Sequence, residues 1–320
     1  MLVRFTDDAG FFEEGIDTGG PRREFLTLLM KLLKDRPIFD GPEGHKFLVF
    51  NANAVREDEY FLAGKMVAVS IVHGGPGPHF LSEGLVQYLA GQPSFKPSVN
   101  LITDDEIGKA LREIENAASL DDLRDSILRH STMLQTAGCL RHVAAVEQKK
   151  EIVADYLHWH VIDRNSSVID RFKDGLSALE FLGALKQHPA LLTPVLCHVD
   201  KKLTGLDLER VFKPDLSPSG SNRRLKENQT LAYWADYLLD CEEGEAAVCL
   251  EDVLMFSTGL RSLPPAGLDP LPQLEFLDNS PFPMANTCGN VLKLPLLDSY
   301  GVFKTQMDFG MQNSPGFGCF

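Results

Sequence analysis

Apolar residues recur at helical spacing through much of the chain. Residues 21–35 are predicted to form an amphipathic helix that begins at Pro21, a favoured first helical position. Its apolar face is predicted to consist of Phe25, Leu28, Leu29, Leu32 and Leu33. Residues 57–73 are apolar almost all round, which predicts a buried helix, and helical spacing continues through residues 104–174. This part of the chain is therefore predicted to be mostly helical.

The pattern changes in the last third of the chain. Residues 214–222 are rich in proline, serine and glycine, which is typical of an exposed connector. A helix over residues 228–240 follows, with Leu231, Trp234, Tyr237 and Leu238 on one face. Beyond it the sequence predicts short strands at residues 273–277 and 291–294, and then a last helix over residues 299–311. The chain is therefore predicted to divide near residue 214 into a helical first lobe and a smaller α/β second lobe.

Composition and charge narrow the class of protein. The 320 residues are 44% hydrophobic and 24% charged, enough apolar material for packed cores in about two domains. Lys and Arg number 31 against 45 Asp and Glu, a net charge of -14, which argues against nucleic acid and anionic membranes as partners. The sequence has no run of ~18 apolar residues and no signal-peptide core at its start. We therefore expect a soluble protein of the cytoplasm and/or nucleus.

The six cysteines do not form a metal-binding or disulfide pattern. None are paired as C-x-x-C, and a chain of this length without a signal sequence does not predict a disulfide framework. His158 and His160 are the one close histidine pair, with no cysteine nearby, so neither a metal site nor a cofactor is predicted. The five cysteines other than Cys288 are expected to be buried and packed as small apolar residues. The six cysteines are Cys139, Cys197, Cys241, Cys249, Cys288 and Cys319.

Cys288 differs from the other cysteines in its surroundings. It lies in a loop of small and polar residues between the two predicted strands, where a thiol reaches solvent. A nucleophilic cysteine needs a lowered pKa or a neighbouring base, and the last histidine in the sequence is His198. A Cys/His pair therefore requires contact between the two lobes. The local residues leave both a structural and a nucleophilic role open.

Four segments in chain order match the signatures of one family. Residues 14–25 are similar to a G-x-D-x-G-G-x-x-R-E-F pattern, and residues 255–268 to F-x-T-G followed by P-P-x-G-F. Residues 282–295 are similar to L-P-x-A-x-T-C-x-x-x-L-x-L-P, and the tail has Phe317 fourth from its end. Together these segments resemble the HECT-type ubiquitin ligases over essentially the whole chain. One branch of that family is resembled most at residues 221–224, Trp234 and residues 240–245.

The resemblance implies an α+β, bilobal HECT-like fold. The mostly helical N-lobe would span residues 1–213, with its docking subdomain for the ubiquitin-conjugating enzyme (E2) at approximately 95–160. A flexible hinge would cover residues 214–222, and the smaller α/β C-lobe would cover residues 223–320. The signature residues Asp17, Gly19, Gly20, Arg23 and Glu24 are expected to fix the fold rather than to touch ubiquitin.

The resemblance also implies roles for residues near Cys288. Cys288 would take ubiquitin from a charged E2 as a thioester and pass it to a lysine of a substrate protein. Thr287 would steady the thioester through its hydroxyl or backbone. Asn286 stands where many members have histidine, and its amide can hydrogen-bond an oxyanion but does not shuttle a proton near neutral pH. Phe317 matches the tail phenylalanine used in transfer to lysine.

Two other functions compete with an active ligase. A HECT-like module that binds ubiquitin or partners without transfer is suggested because residues 95–160 lack the family's strand-rich pattern and aromatic groove. Arg261 also stands one position earlier than the arginine of the usual T-G-T-S-R. A cysteine hydrolase using Cys288 is the third hypothesis, although no nearby residue supplies its base.

Overall fold

The protein is described here by a computed structural model that covers residues 20–92, 98–198, 202–264 and 267–314. The chain forms two compact units. The first, called the helical unit, consists of Met30–Val72 and Gly77–Val199. The second, called the sheet unit, consists of Met1–Leu29, His73–Pro76 and Asp200–Phe320. The predicted lobe limits at 213 and 223 stay a prediction.

Helix α1 spans Gly20–Lys34, which confirms the predicted first helix. The predicted apolar face is only partly buried, since Leu33 is buried but three of its other residues are not. Phe25, Leu28 and Leu32 are 36%, 46% and 68% exposed. The buried apolar side chains of this helix are Leu26, Met30 and Leu33. Helical spacing allowed either set of residues to form the apolar stripe, so the periodicity predicted the helix but did not determine its buried side.

The helical unit continues with a two-stranded antiparallel ribbon and ten helices among its described residues. The strands β1 and β2 pair Phe39 with Leu48. The elements are β1 (Phe39–Asp40), β2 (Phe47–Leu48), α2 (Ala52–Arg56), α3 (Glu59–Val72), α4 (Glu83–Leu89), α5 (Asp105–Glu115), α6 (Leu120–Arg129), α7 (Ser131–Thr136), α8 (Lys149–Val161), α9 (Ser166–Leu176), α10 (Phe181–Gln187) and α11 (Pro189–Leu196). The apolar helix predicted at 57–73 corresponds to α3.

Helices α3 and α9 cross at two glycines. A Cβ atom on Gly64 would lie 2.2 Å from the Phe172 carbonyl oxygen, and one on Gly175 would lie 2.0 Å from the Phe61 carbonyl oxygen. Neither distance leaves room for a methyl group against backbone atoms, which are held by the hydrogen bonds of their own helices. The absence of side chains at both positions therefore allows the two backbones to approach closely.

We expect Gly175→Ala to lower the free energy of unfolding by about 1–3 kcal/mol, because the added methyl group overpacks a backbone contact. Urea-induced unfolding followed by circular dichroism measures the change. Gly183→Ala is the matched control, since its nearest atom would be Glu180 Oε2 at 3.8 Å. This control should gain stability from the higher helix propensity of alanine. Equal effects of the two substitutions would contradict the packing argument.

Helices α5–α8 enclose a hydrophobic cluster of their own. The buried residues of this cluster run in sequence from Val99 to Leu157. Ser119 caps α6 by accepting a hydrogen bond from the backbone N–H of Asp122 at 3.1 Å. The predicted helical character of residues 104–174 is confirmed. E2 docking by this region stays a prediction.

A buried histidine lies at the end of α8. His160 is 4% exposed, and Arg164 Nη2 lies 2.9 Å from its Nε2. Arginine donates hydrogen bonds and does not accept them, so Nε2 is the acceptor and the ring proton of the neutral imidazole lies on Nδ1. Burial, followed by the charge of Arg164, lowers the pKa of His160 to about 4. The folded protein therefore keeps this imidazole neutral.

His160 should make the helical unit less stable in mild acid. An unfolded histidine titrates near pH ~6.5, so between that value and the folded pKa the unfolded state binds more protons. Stability should fall by roughly 2 kcal/mol from pH 7 to pH 5 through this group alone. Urea unfolding at several pH values should show that His160→Gln removes this pH-dependent part of the stability, whereas the control His158→Gln, at a half-buried position, keeps it. An unchanged pH slope in His160→Gln would contradict the assignment.

Among the described residues, the sheet unit contains α1 as far as Leu29, the short segment His73–Pro76, and the chain from residue 202 onward. Its further elements are α12 (Gly205–Val211), β3 (Lys213–Pro214), α13 (Asn222–Glu243), α14 (Leu250–Thr258), β4 (Gln273–Leu277), β5 (Met284–Asn286), β6 (Val291–Pro295) and α15 (Tyr300–Gln312). The strand order is β3-β4-β6-β5, with β3–β4 and β4–β6 parallel and β5–β6 antiparallel. Helices and strands contribute to one apolar cluster that includes Trp234, Tyr237, Leu274, Leu292 and Phe303.

The two predicted strands and the last helix are confirmed as β4, β6 and α15. The helix predicted at 228–240 is longer than expected, because Ser221 caps α13 by accepting from the Arg224 N–H at 3.1 Å. Strands β3 and β5 were not predicted. The described residues are mostly helical, with a four-stranded sheet and the two-stranded ribbon, which confirms the predicted α+β class. No helix among the described residues is long and apolar enough to span a bilayer.

The connector before α13 is attached to that helix by a buried carboxylate. Glu227 is 2% exposed and accepts from the Ser217 N–H at 2.8 Å, from the Ser217 hydroxyl at 2.6 Å and from Arg223 Nε at 3.0 Å. Arg224 Nη1 donates to the Ser217 carbonyl at 2.8 Å. Burial opposes the charge, but the bonds from Ser217 and Arg223 outweigh it and lower the pKa of Glu227. A hinge at residues 214–222 stays a prediction.

Candidate active site

Cys288 lies on the turn of a β-hairpin. Strands β5 and β6 are antiparallel, with Asn286 paired to Val291, so residues 287–290 form the connecting loop. The sequence predicted a loop between β4 and β6, and the structure places the additional strand β5 within it. Cys288 is partly exposed, which agrees with the expectation that its thiol reaches solvent.

Asn286 shapes this turn. Its Oδ1 accepts hydrogen bonds from the backbone N–H groups of Cys288 at 3.1 Å and Gly289 at 3.2 Å, and its carbonyl accepts from Gly289 N–H at 3.1 Å. Asparagine commonly stabilises turns through such side-chain bonds to following N–H groups. The amide oxygen of Asn286 is therefore engaged in holding the loop. Donation from its amide nitrogen to an oxyanion stays a prediction.

Asn290 closes the turn in a left-handed conformation, with φ 54°. It is fully buried, and its Nδ2 donates to the Pro270 carbonyl at 2.6 Å. Its own carbonyl accepts from the Gln273 N–H at the start of β4 at 3.0 Å. Asparagine tolerates positive φ better than most residues do, which explains its suitability at this position. These bonds attach the end of the Cys288 loop to β4 and the segment before it.

Arg23 of α1 holds the same loop from another side. Arg23 is only 4% exposed. Its Nη2 donates to the Thr287 carbonyl and, at 2.9 Å, to Asn290 Oδ1. Nε donates to the Thr258 carbonyl at 2.8 Å. The family resemblance predicts that Arg23 maintains the fold, but it does not predict this contact with the cysteine loop. The available signal was an arginine on the same helical face as Leu26 and Met30, where a charge requires specific partners.

The F-x-T-G motif forms the end of α14. Thr258 is fully buried and its hydroxyl donates to the Leu254 carbonyl at 2.7 Å, while Gly259 ends the helix with φ 78°. A glycine in this conformation is a common helix terminator. The carbonyl of Thr258 thus lies at a helix C-terminus and accepts from Arg23. Arg261, displaced by one position from the family pattern, pairs with Asp252 at 2.9 Å.

Thr287 is 6% exposed, so its hydroxyl does not lie on the open side of the turn. Its Oγ1 is buried without a hydrogen-bond partner among the described residues. The contact that this residue makes with Arg23 is through its carbonyl. A role for the hydroxyl in steadying a thioester stays a prediction.

We expect Thr287→Val to raise the free energy of unfolding by roughly 1 kcal/mol, because it replaces an unsatisfied buried hydroxyl by a methyl group of similar shape. Thermal and urea unfolding measure the change. The matched control, Thr287→Ser, keeps the hydroxyl and loses the methyl group, so it should be less stable than the wild type. Destabilisation by Thr287→Val would show that the hydroxyl has a partner in the folded protein.

The other described cysteines have raised thiol pKa values. Burial is the largest cause in each case, and it raises the pKa of Cys139, of Cys197 to about 12 and of Cys241 to about 12. The prediction of burial is wrong for Cys249, which is exposed. Its Sγ lies 3.0 Å from Asp252 Oδ2, and partial burial together with this carboxylate raises its pKa to about 11. These four thiols are poorly suited to nucleophilic attack at neutral pH.

The structure brings Arg23 beside the sequence-predicted group Asn286, Thr287 and Cys288, which are neighbours in the chain. Phe317, Asp17, Gly19 and Cys319 lie outside the described residues. Within the described ranges, no group of three or more His, Cys, Asp or Glu side chains is arranged to hold a metal ion. The site therefore consists of a thiol, backbone amides of a turn, and a buried guanidinium beneath it.

Comparison with known proteins extends these observations. A family profile described as HECT-domain (ubiquitin-transferase) matches residues 27–320. The chain is similar to the G2/M phase-specific E3 ubiquitin-protein ligases of Homo sapiens and Gallus gallus, 34% identical to each over 301 and 300 residues. These alignments cover 94% and 92% of this chain, and 41% and 39% of the relatives. The chain thus spans about two fifths of the length of these relatives.

Proposed function

The chain belongs to the HECT-domain (ubiquitin-transferase) family, as its four signatures predicted, and from this premise we propose that it is an E3 ubiquitin-protein ligase that acts through Cys288. The observation that carries the proposal is the hairpin turn within the family match, which presents a partly exposed thiol on a loop fixed by hydrogen bonds. The partners would be ubiquitin, a ubiquitin-charged E2 and a protein substrate.

The proposed reaction divides one transfer into two steps. The Cys288 thiol loses its proton to solvent, and the thiolate attacks the carbonyl carbon of the E2–ubiquitin thioester. The E2 thiolate leaves, and ubiquitin is held as a thioester on Cys288. A deprotonated substrate lysine then attacks that carbonyl and the Cys288 thiolate leaves. The amine gives up one proton, which the departing thiolate takes, and an isopeptide bond forms. The first step exchanges one thioester for another, so its rate depends mainly on alignment of the reacting atoms.

The residues around Cys288 support alignment. The N–H groups of Cys288 and Gly289 already donate to Asn286 Oδ1, so the turn has its shape before any substrate arrives.

The five cysteines in the described part of the chain are free thiols. This suits the proposed location in the reducing cytoplasm and/or nucleus. Transfer to lysine aided by Phe317 remains part of the proposal.

The test is a single-turnover assay in which an E2 charged with fluorescent ubiquitin is mixed with the chain. We expect an adduct on a non-reducing gel that a thiol reductant removes. Cys288→Ala should abolish the adduct. Cys288→Ser can form only an oxyester, so any adduct it forms should resist the reductant. The matched control is Cys249→Ser, at another exposed cysteine, and it should behave like the wild type.

The same assay separates the competing functions. Absence of a Cys288 adduct across a broad panel of charged E2 enzymes would contradict the ligase proposal. Ubiquitin binding that is retained in that case, and is unaffected by Cys288→Ala, would favour a binding module. An adduct whose ubiquitin is released to water faster than to lysine would favour the hydrolase.

A further inference from the structure

The backbone on the N-terminal side of Cys288 is held at both ends of one peptide unit. The carbonyl of Thr287 accepts a hydrogen bond from Arg23 Nη2, and the N–H of Cys288 donates to Asn286 Oδ1 at 3.1 Å. Because the peptide unit is planar, these two bonds fix its orientation. The Cα atom of Cys288 is attached to this plane, so the direction in which the thiol leaves the backbone depends on both bonds.

The guanidinium reaches beyond this peptide unit. Its Nη2 also donates to Asn290 Oδ1 at 2.9 Å, and its Nε donates to the Thr258 carbonyl at 2.8 Å. Arg23 thus connects both ends of the turn to the C-terminus of α14. Carbonyl groups at a helix C-terminus carry partial negative charge and lack partners within the helix, which favours a cation there. This environment explains why a charged residue can be almost fully buried.

We propose that Arg23 is a positioning residue for Cys288, an inference that rests on the transfer function proposed above. Arg23 touches neither ubiquitin nor the reacting sulfur in this proposal. It acts through the Thr287 carbonyl and Asn290, and thereby sets the angle at which the thiol meets the E2–ubiquitin thioester. Small displacements of a reacting group can cost about 100-fold in rate, so a clamp on this loop can influence transfer without contacting the substrate.

Only an arginine fits this role well. Its planar guanidinium presents N–H donors in a fixed fork, which allows Nε and Nη2 to reach acceptors on α14 and on the turn at the same time. A lysine has a single ammonium group on a flexible stem and cannot reproduce that spacing. Arg23→Lys therefore keeps the charge while it removes the geometry.

The test compares the wild type with Arg23→Lys in two measurements. In the first, single-turnover formation of the Cys288 adduct is followed as the concentration of charged E2 increases. We expect the maximal rate to fall about tenfold or more, with the half-saturating concentration unchanged, because alignment is lost and not binding. In the second, hydrogen exchange is followed by mass spectrometry. Exchange should accelerate about tenfold in peptides that contain residues 286–290, since bonds from a charged donor have been lost.

Arg22→Lys is the matched control, because it makes the same change at the adjacent position of α1. Asn290→Gly provides a second route to the same result. It permits the left-handed backbone at that position but removes the Oδ1 that accepts from Arg23, together with the Nδ2 that donates to the Pro270 carbonyl. We expect Asn290→Gly to lower the maximal rate as well, and the double variant with Arg23→Lys to fall less than the product of the two single effects. If Arg23→Lys fails to fold, Asn290→Gly is tested by the same two measurements.

Several results would overturn the proposal. One is that Arg23→Lys shows the same maximal rate as the wild type and the same hydrogen exchange in residues 286–290. Another is a changed half-saturating concentration with an unchanged maximal rate, which would assign Arg23 to E2 recognition. Faster exchange throughout the sheet unit would assign it to general stability. If the wild type forms no adduct with any E2, the transfer function fails, and the exchange measurement still decides whether Arg23 fixes the loop.

Discussion

A buried guanidinium needs hydrogen-bond acceptors for its N–H groups, and Arg23 finds acceptors in three described segments around the candidate site. The Thr258 carbonyl belongs to the end of α14, the Thr287 carbonyl precedes Cys288, and Asn290 ends the turn. If any of these groups moved away, the buried charge would lose part of its compensation, which is costly. This requirement links α1 to the hairpin. Three of the four signatures thus meet in one hydrogen-bonded group in the described part of this chain.

The helical unit is stabilised by a different kind of interaction. Its α3–α9 contact depends on the absence of side chains at Gly64 and Gly175, and its α5–α8 region has a separate apolar cluster. Polar groups there are buried as neutral species, as at His160, whose pKa burial lowers to about 4. The sheet unit, by contrast, buries ionised groups such as Arg23 and Glu227 where backbone groups can satisfy them. Each of these two ionised groups holds a loop in place: Arg23 holds the turn of Cys288, and Glu227 holds the connector before α13.

Most elements could be predicted because their sequences contain the periodicity that forms them. Strands β4 and β6 alternate buried and less buried residues, and α15 has helical spacing. Strand β5 was missed because its three residues, Met284–Asn286, have no pattern of their own and become a strand only by pairing with β6. The buried face of α1 was predicted correctly only at Leu33, because apolar residues lie on more than one side of this helix. Cys249 was expected to be buried, yet its position at the start of α14 leaves it exposed and hydrogen-bonded to Asp252.

The sequence by itself determined the family, the α+β class and the position of Cys288 in a loop of small polar residues, since all three are written in local patterns and ordered motifs. Only the tertiary structure decided what holds that loop. Arg23 precedes Thr287 by 264 positions, and no periodicity or spacing relates residues so far apart. Their contact results from the packing of α1, α14 and the hairpin in the sheet unit. A buried charge takes its partners from whichever backbone groups that packing brings within reach, so those partners could not be predicted from the sequence.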